Sequence, residues 1–207
     1  MAVDKKQHIM SHAMQMFADK GFEATSIRDL AKVADVNVAM VNYYFGSKEK
    51  LMEAIIEEKA AYMKDRIEEL NANKALAEID KVNTLIEDYV GRITGSPNFH
   101  KLLYKELMGS NRENLHDFLT KNFSQNSKNF AKIIEQGIKK KEFKKVDATL
   151  TVASIIGSIT QVMMSKGMCN LLIDKPADYE PYTDEAFKKR LLTHIKQMMA
   201  SHLLINP

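Results

Sequence analysis

The chain has 207 residues, 45% of them apolar, with four prolines, eight glycines and a formal net charge of +3. That length suffices for one large domain or two small ones with a sizeable core, and few β-branched runs alternate with period two, so the expected class is all-α. No low-complexity tract and no strong basic block is present: residues 1–50 hold seven Lys/Arg against six Asp/Glu, so any phosphate binding must come from placed charges and helix N-termini.

In chain order, the first helix is expected from about Lys5 to Lys20, with Ile9, Ala13, Met16 and Phe17 as its inner stripe. Gly21 ends it as a C-terminal glycine does, and Phe22 follows as a core residue. His8 and His12 share one face, but a metal needs more than a pair and no third ligand stands near, so a solvated face is the expected reading. The stretch from Thr25 to Lys48 then reads TSIRDLAKVADVNVAMVNYYFGSK. Ile27, Leu30, Ala31 and Ala34 form one apolar stripe of a helix, with Thr25 placed to cap it. The phase breaks at Asp35, which can take the left-handed conformation that a sharp turn needs.

A second short helix follows from about Val38 to Phe45. At about 100° per residue, Val41 and Phe45 face the core, Ala39, Met40 and Tyr43 point away from it, and Asn42 and Tyr44 lie on the flanks. Small, aromatic and polar groups on an outward face suit a helix in the major groove, where base edges offer donors, acceptors and thymine methyls. An ordinary helical hairpin within a bundle is the alternative for a pattern this short.

The wider wording separates the two. From Gln7 to Leu51, the pieces IMSHAMQMFADKGFEATSIRDLAKVADV and VNYYFGSKEKL resemble the DNA-binding domain of the TetR (tetracycline-repressor) family of bacterial transcription regulators. Two positions depart from the family pattern: Asp35, where Gly is usual, and Asn42, where Tyr is commoner. The resemblance implies an N-terminal three-helix DNA-binding domain with a helix-turn-helix, residues 1–47. A larger helical ligand-sensing and dimerisation domain, residues 48–207, would follow, making about nine helices in all.

Gly46 breaks the chain and Ser47 caps a fourth helix from Lys48 to about Leu70. A turn at Asn71–Lys74 leads to a fifth helix at about Ala75–Ile93. The TGSPN break precedes a helix at Phe99–Met108, and a second break at Gly109–Asn111 precedes a long helix from about Glu113 to Lys139. KKKEFKK, residues 139–145, reads as a solvated helix end rather than a nucleic-acid patch, because cations suit a helix C-terminus. Residues 148–165 carry no charge but are too polar for lipid, so a helix from Asp147 to about Lys166 is expected inside protein, not membrane. A loop from Cys169 to Tyr182 leads to a last helix, capped by Thr183 and ending near Leu204. The single cysteine, Cys169, cannot form an internal disulfide; a buried small hydrophobe is the expected reading, with its role otherwise open. No secretory signal is apparent, since the first apolar residues are interleaved with Lys5, Lys6, Gln7 and His8, and a cytoplasmic location is expected.

The resemblance and the helix geometry together assign the DNA-binding residues. Thr25, Ser26, Tyr44 and Lys48 are expected at phosphates; Ala39, Met40, Asn42 and Tyr43 are expected at or beside bases. Arg28 is carried over because its family counterpart often reaches DNA, with a surface salt bridge as the alternative. The resemblance further implies a homodimer, built from helices at about 147–166 and 183–204, on double-stranded DNA carrying a palindromic operator. It implies repression relieved by a small-molecule effector, whose identity and binding residues the sequence does not assign. No cofactor, metal or membrane is expected. An enzyme is the first rival, against which stands the lack of a nucleophile elbow, a phosphate-cradling glycine loop or convergent metal ligands. A helix pair docking protein instead of DNA, or an activator using the same motif, is the second.

Overall fold

The computed structural model describes residues 4–109, 113–163 and 165–205. Among them the chain is all-α, with ten helices: α1 Lys5–Lys20, α2 Ile27–Val33, α3 Val38–Phe45, α4 Lys48–Ala72, α5 Glu78–Gly95, α6 Pro97–Gly109, α7 Glu113–Lys139, α8 Ala148–Met163, α9 Lys166–Leu172 and α10 Glu185–Leu203. The expected break at Ser110 and Asn111, and Met164 of the uncharged stretch, lie outside the described residues. No single helix among the described residues is long and apolar enough to cross a membrane.

Two compact units emerge, Met1–Tyr62 with Asn98–Phe123, and Met63–Pro97 with Ser124–Pro207. The core of the first gathers Ile9, Ala13, Phe17, Leu30, Val41, Leu51, Ile55 and Leu119. The core of the second gathers Val82, Ile86, Val90, Ile93, Ile133, Ile134, Ile155, Ile159 and Ile195. The break expected at Gly46 is the turn between α3 and α4, where Gly46 takes φ 77° and the Ser47 hydroxyl accepts from the Lys50 N–H at 3.1 Å.

Several element starts differ from the sequence reading, most of them for a local reason and that of α5 through a distant partner. Ser26, not Thr25, caps α2, because the Thr25 hydroxyl is turned inward. Asp184, not Thr183, caps α10, its carboxylate accepting the Phe187 N–H at 3.0 Å. Helix α6 begins two residues earlier than expected, at Pro97, where a missing N–H costs nothing in a first turn. Helix α5 begins at Glu78 rather than Ala75: Ala77 has no side chain to cap with, and Glu142, 64 residues on, accepts the Glu78 N–H instead. Where a loop was expected from Cys169, α9 forms, capped by Ser165, and Cys169 packs fully buried on it. Burial pushes its thiol pKa up, which keeps it protonated and inert. The lysine-rich run folds back on the second unit: Lys141 takes φ 62°, Phe143 is buried, and Phe143 pairs with Leu204 in an isolated antiparallel bridge.

The uncharged helix α8 buries one face, Val152, Ile155, Ile159 and Met163. Its other face, with Leu150, Ala153, Ser154, Gly157 and Gln161, is exposed, and a Cβ added at Gly157 would meet nothing within 4 Å.

Candidate nucleic-acid interface

The head is assembled by local caps joined by a few long-range bonds. Gly21 ends α1 at φ 87°. The Thr25 hydroxyl donates to the Gly21 carbonyl at 2.8 Å and the residue is buried. Ser26 then opens α2: its hydroxyl accepts the Asp29 N–H at 3.1 Å and donates to the Asp29 carboxylate at 2.6 Å. The cap satisfies the Asp29 N–H, which would otherwise be unpaired in the first turn, and the Asp29 carboxylate holds the Ser26 hydroxyl in place.

The turn to α3 runs through Asp35 at φ 50°, the left-handed conformation expected of it. Asn37 caps α3, its side-chain oxygen accepting the Met40 N–H at 2.7 Å. From α1, His8 Nε2 lies 2.9 Å from the Ala34 carbonyl. A carbonyl only accepts, so that ring nitrogen carries the proton. His12 Nδ1 lies 3.0 Å from the His8 carbonyl, and the two rings pack 4.4 Å apart, so the histidine pair braces the turn. Among the described residues no three His, Cys, Asp or Glu side chains gather as a metal site.

On α3 the expected angular order is largely observed. Val41 and Phe45 are buried, and Ala39 and Asn42 are exposed. Tyr43 is 84% exposed and Tyr44 39%, their rings edge-on at 5.3 Å. Met40 departs from expectation: it is half-buried and packs against the core of the first unit, since a long flexible side chain can fold back where Tyr43 cannot. Arg28 is exposed on α2, two residues after Ser26.

Two residues expected at phosphates are occupied internally. Thr25 has its hydroxyl on the Gly21 carbonyl and its N–H on the Phe22 carbonyl at 3.3 Å, so as placed it has no donor turned to solvent. Lys48 is half-buried, with its ammonium 2.9 Å from the Phe22 carbonyl and 4.3 Å above the Phe22 ring. The structure therefore brings together Ser26, Arg28, Ala39, Asn42, Tyr43 and Tyr44 as exposed side chains on α2 and α3. Sequence reasoning missed His8 and Asn37. A polar residue just ahead of an apolar run was a readable signal for the Asn37 cap; nothing local marks the bond from His8 to a carbonyl 26 residues away.

In the second unit, an open groove of about 430 Å³ lies between α5 and α10. Val90, Gly91 and Leu192 line it, flanked by the ion pairs Lys188–Glu185 and Lys196–Glu87.

Comparison with known proteins agrees with this geometry. The family profile for bacterial regulatory proteins of the tetR family matches residues 9–55, and the profile for a tetracyclin repressor-like C-terminal domain matches residues 75–164. The probable HTH-type transcriptional regulator YttP of Bacillus subtilis is 48% identical over 58 residues, a match spanning 28% of each chain. A fatty acid metabolism regulator protein of the same species is 26% identical over 164 residues, covering 77% of this chain and 81% of the relative. The solved structure of the transcriptional regulator FadR from Bacillus subtilis, in complex with stearoyl-CoA, superposes with a TM-score of 0.71 at 20% identity, covering 91% of this chain and 96% of that one. A helix-turn-helix head joined to a helical body, matched by both profiles, defines a DNA-binding transcriptional regulator and not an enzyme. The chain belongs to the TetR family.

Proposed function

We propose that this regulator is a ligand-responsive repressor that binds a palindromic operator as a homodimer, with residues 1–47 as the DNA-binding domain and 48–207 as the sensing and dimerisation domain. The observation that carries the reading is the division of α3: two residues hold it to the core while Tyr43, Asn42 and Ala39 stand exposed beside one another. In this reading Ala39, Asn42 and Tyr43 meet base edges, with the half-buried Met40 beside them. Ser26, Arg28 and Tyr44 reach phosphates, and Thr25 and Lys48 support them from behind. One short helix makes too few contacts for tight binding, so two-fold pairing and half-sites about one helical turn apart, or a multiple of it, follow. The exposed small-residue face of α8, with the exposed side of α10, supplies a surface on which two copies can approach closely.

Effector binding works by population shift: a ligand preferring one arrangement of the sensing helices displaces α4 and with it the spacing of the two heads. The likeness to a fatty acid metabolism regulator over 77% of the chain makes an acyl-CoA the effector class to test first. The protein then acts in the cytoplasm, where its DNA and such thioesters are found.

Selection of preferred sites from random DNA, followed by mobility-shift titration, tests the reading. A two-fold symmetric consensus, affinity falling steeply with salt, a sedimenting dimer and release by stearoyl-CoA are expected. Failure to enrich any sequence rejects sequence-specific DNA binding; enrichment without release by stearoyl-CoA rejects that effector alone.

A further inference from the structure

We infer that Lys48 is a positioning residue of the DNA-binding head, a latch between the start of α4 and the α1–α2 loop, and not a phosphate contact. Lys48 is the first residue of α4, where the helix macrodipole disfavours a cation. A lysine there needs a local acceptor, and the Phe22 residue provides two: its carbonyl at 2.9 Å from the ammonium and its ring face at 4.3 Å. The Phe22 ring is itself buried against Phe17, with centroids 5.1 Å apart, so the latch closes on a fixed part of the core.

The loop it holds sets where α2 begins. The Phe22 carbonyl also accepts the Thr25 N–H, at a longer 3.3 Å, and the Thr25 hydroxyl reaches back to the Gly21 carbonyl. The next residue, Ser26, is the α2 cap and a proposed phosphate contact. If the ammonium left for a phosphate, the Phe22 carbonyl would lose the shorter of these two bonds, and the loop carrying Ser26 would loosen just when DNA must be held. One side chain thus ties the first turn of α4 to the start of α2. A shift of the α4 start is then felt at the DNA-facing surface without Lys48 touching DNA.

This rests on the DNA-binding reading of α2 and α3, which binding by the unaltered protein tests separately. The experiment uses the full chain and two duplexes, one recovered from random DNA by the unaltered protein and one of random sequence. Lys48→Met keeps the apolar stem over Phe22 and removes the charge and donor. Its affinity for the recovered duplex is expected to fall about tenfold at a temperature where circular dichroism shows it folded. The slope of log affinity against log salt is expected to stay unchanged, and Lys48→Arg, which can still donate to the carbonyl, is expected to restore the affinity. A slope shallower by about 0.9 for each head would make Lys48 a phosphate contact and overturn the proposal. Unchanged affinity of the folded Lys48→Met protein would overturn it equally, since the latch would then only stabilise the fold. Should Lys48→Met not fold, Lys48→Gln is neutral and can still donate an N–H, and its salt slope decides by the same criterion.

Discussion

Helix α3 and the first turn of α5 treat polar side chains in opposite ways. On α3, Tyr43 and Asn42 stand in solvent, and only Val41 and Phe45 are committed to the interior. On α5, Glu78 and Lys81 are 0% and 1% exposed and bond each other at 3.0 Å. The same Glu78 oxygen accepts from Lys140 at 2.6 Å, and Glu142 accepts the Glu78 N–H. A charge inside protein persists only with its counter-charge and hydrogen bonds in place. The α5 cluster uses that requirement to fasten a helix start to the turn after α7. The α3 surface keeps its donors and aromatic faces exposed, which in the proposed reading leaves them open to a duplex. One region uses its polar groups within the fold and the other leaves them in solvent.

The largest effect expected is at the buried cluster. Glu78→Ala strands the Lys81 ammonium without its carboxylate and is expected to lower unfolding free energy by about 3–5 kcal/mol, read from the denaturant midpoint. A loss under about 1 kcal/mol would mean water already reaches the lysine, and the contrast with α3 would dissolve. Tyr43→Ala is the converse experiment. Stability is expected to change by less than about 0.5 kcal/mol, since the ring is exposed, while affinity for the selected operator falls about tenfold and affinity for random DNA holds. Equal loss on both duplexes would assign Tyr43 to the backbone.

Smaller effects sharpen the picture of the head and its surroundings. Asp35→Gly is expected to gain about 0.5 kcal/mol in melting experiments, because the left-handed turn no longer strains a Cβ; a loss would show that the Asp side chain supports the turn. The smallest effect concerns acid. The Tyr179 hydroxyl donates to the Asp184 carboxylate at 2.7 Å and, with the Phe187 N–H, holds its pKa below the ordinary value. Burial first, and that carboxylate next, push the Tyr179 pKa up to about 12. A depressed carboxylate pKa stabilises the fold above the unfolded value of about 3.9 and stops doing so as pH falls through the folded value. Asp184→Asn, which still caps a helix, is therefore expected to flatten the stability curve below about pH 4 and leave it nearly unchanged at pH 7. An unaltered acid limb in a pH series of denaturant melts would remove Asp184 from that account.

The latch and the cluster also mark where sequence reading stopped. Two of its errors were of one kind: Thr25 and Thr183 were read as caps because their residue type and place allowed it, yet Ser26 and Asp184 took the role. Adjacent residues of equal capping ability differ only in which one the surrounding loop turns inward, and for Thr25 that is decided by the Gly21 carbonyl. Met40 was placed outward by angle alone, and its flexible side chain folded back.

Helices α1 and α3 were legible to the residue, together with the breaks at Gly21 and Gly46, the turn at Asp35 and the outward tyrosine. Each depends on periodicity or sterics within a few neighbours, and such constraints travel with the chain wherever it folds. The burial of Lys81, the hold of Lys48 on Phe22, the bond from His8 to Ala34 and the start of α5 were settled only by tertiary structure. For the last three the partners are polar atoms brought from segments 26 to 64 residues away; Lys81 bonds Glu78 one turn earlier on its own helix, and only packing decides that the pair is buried. A charged residue carries no local sign of whether its acceptor will be water or another segment of the same chain.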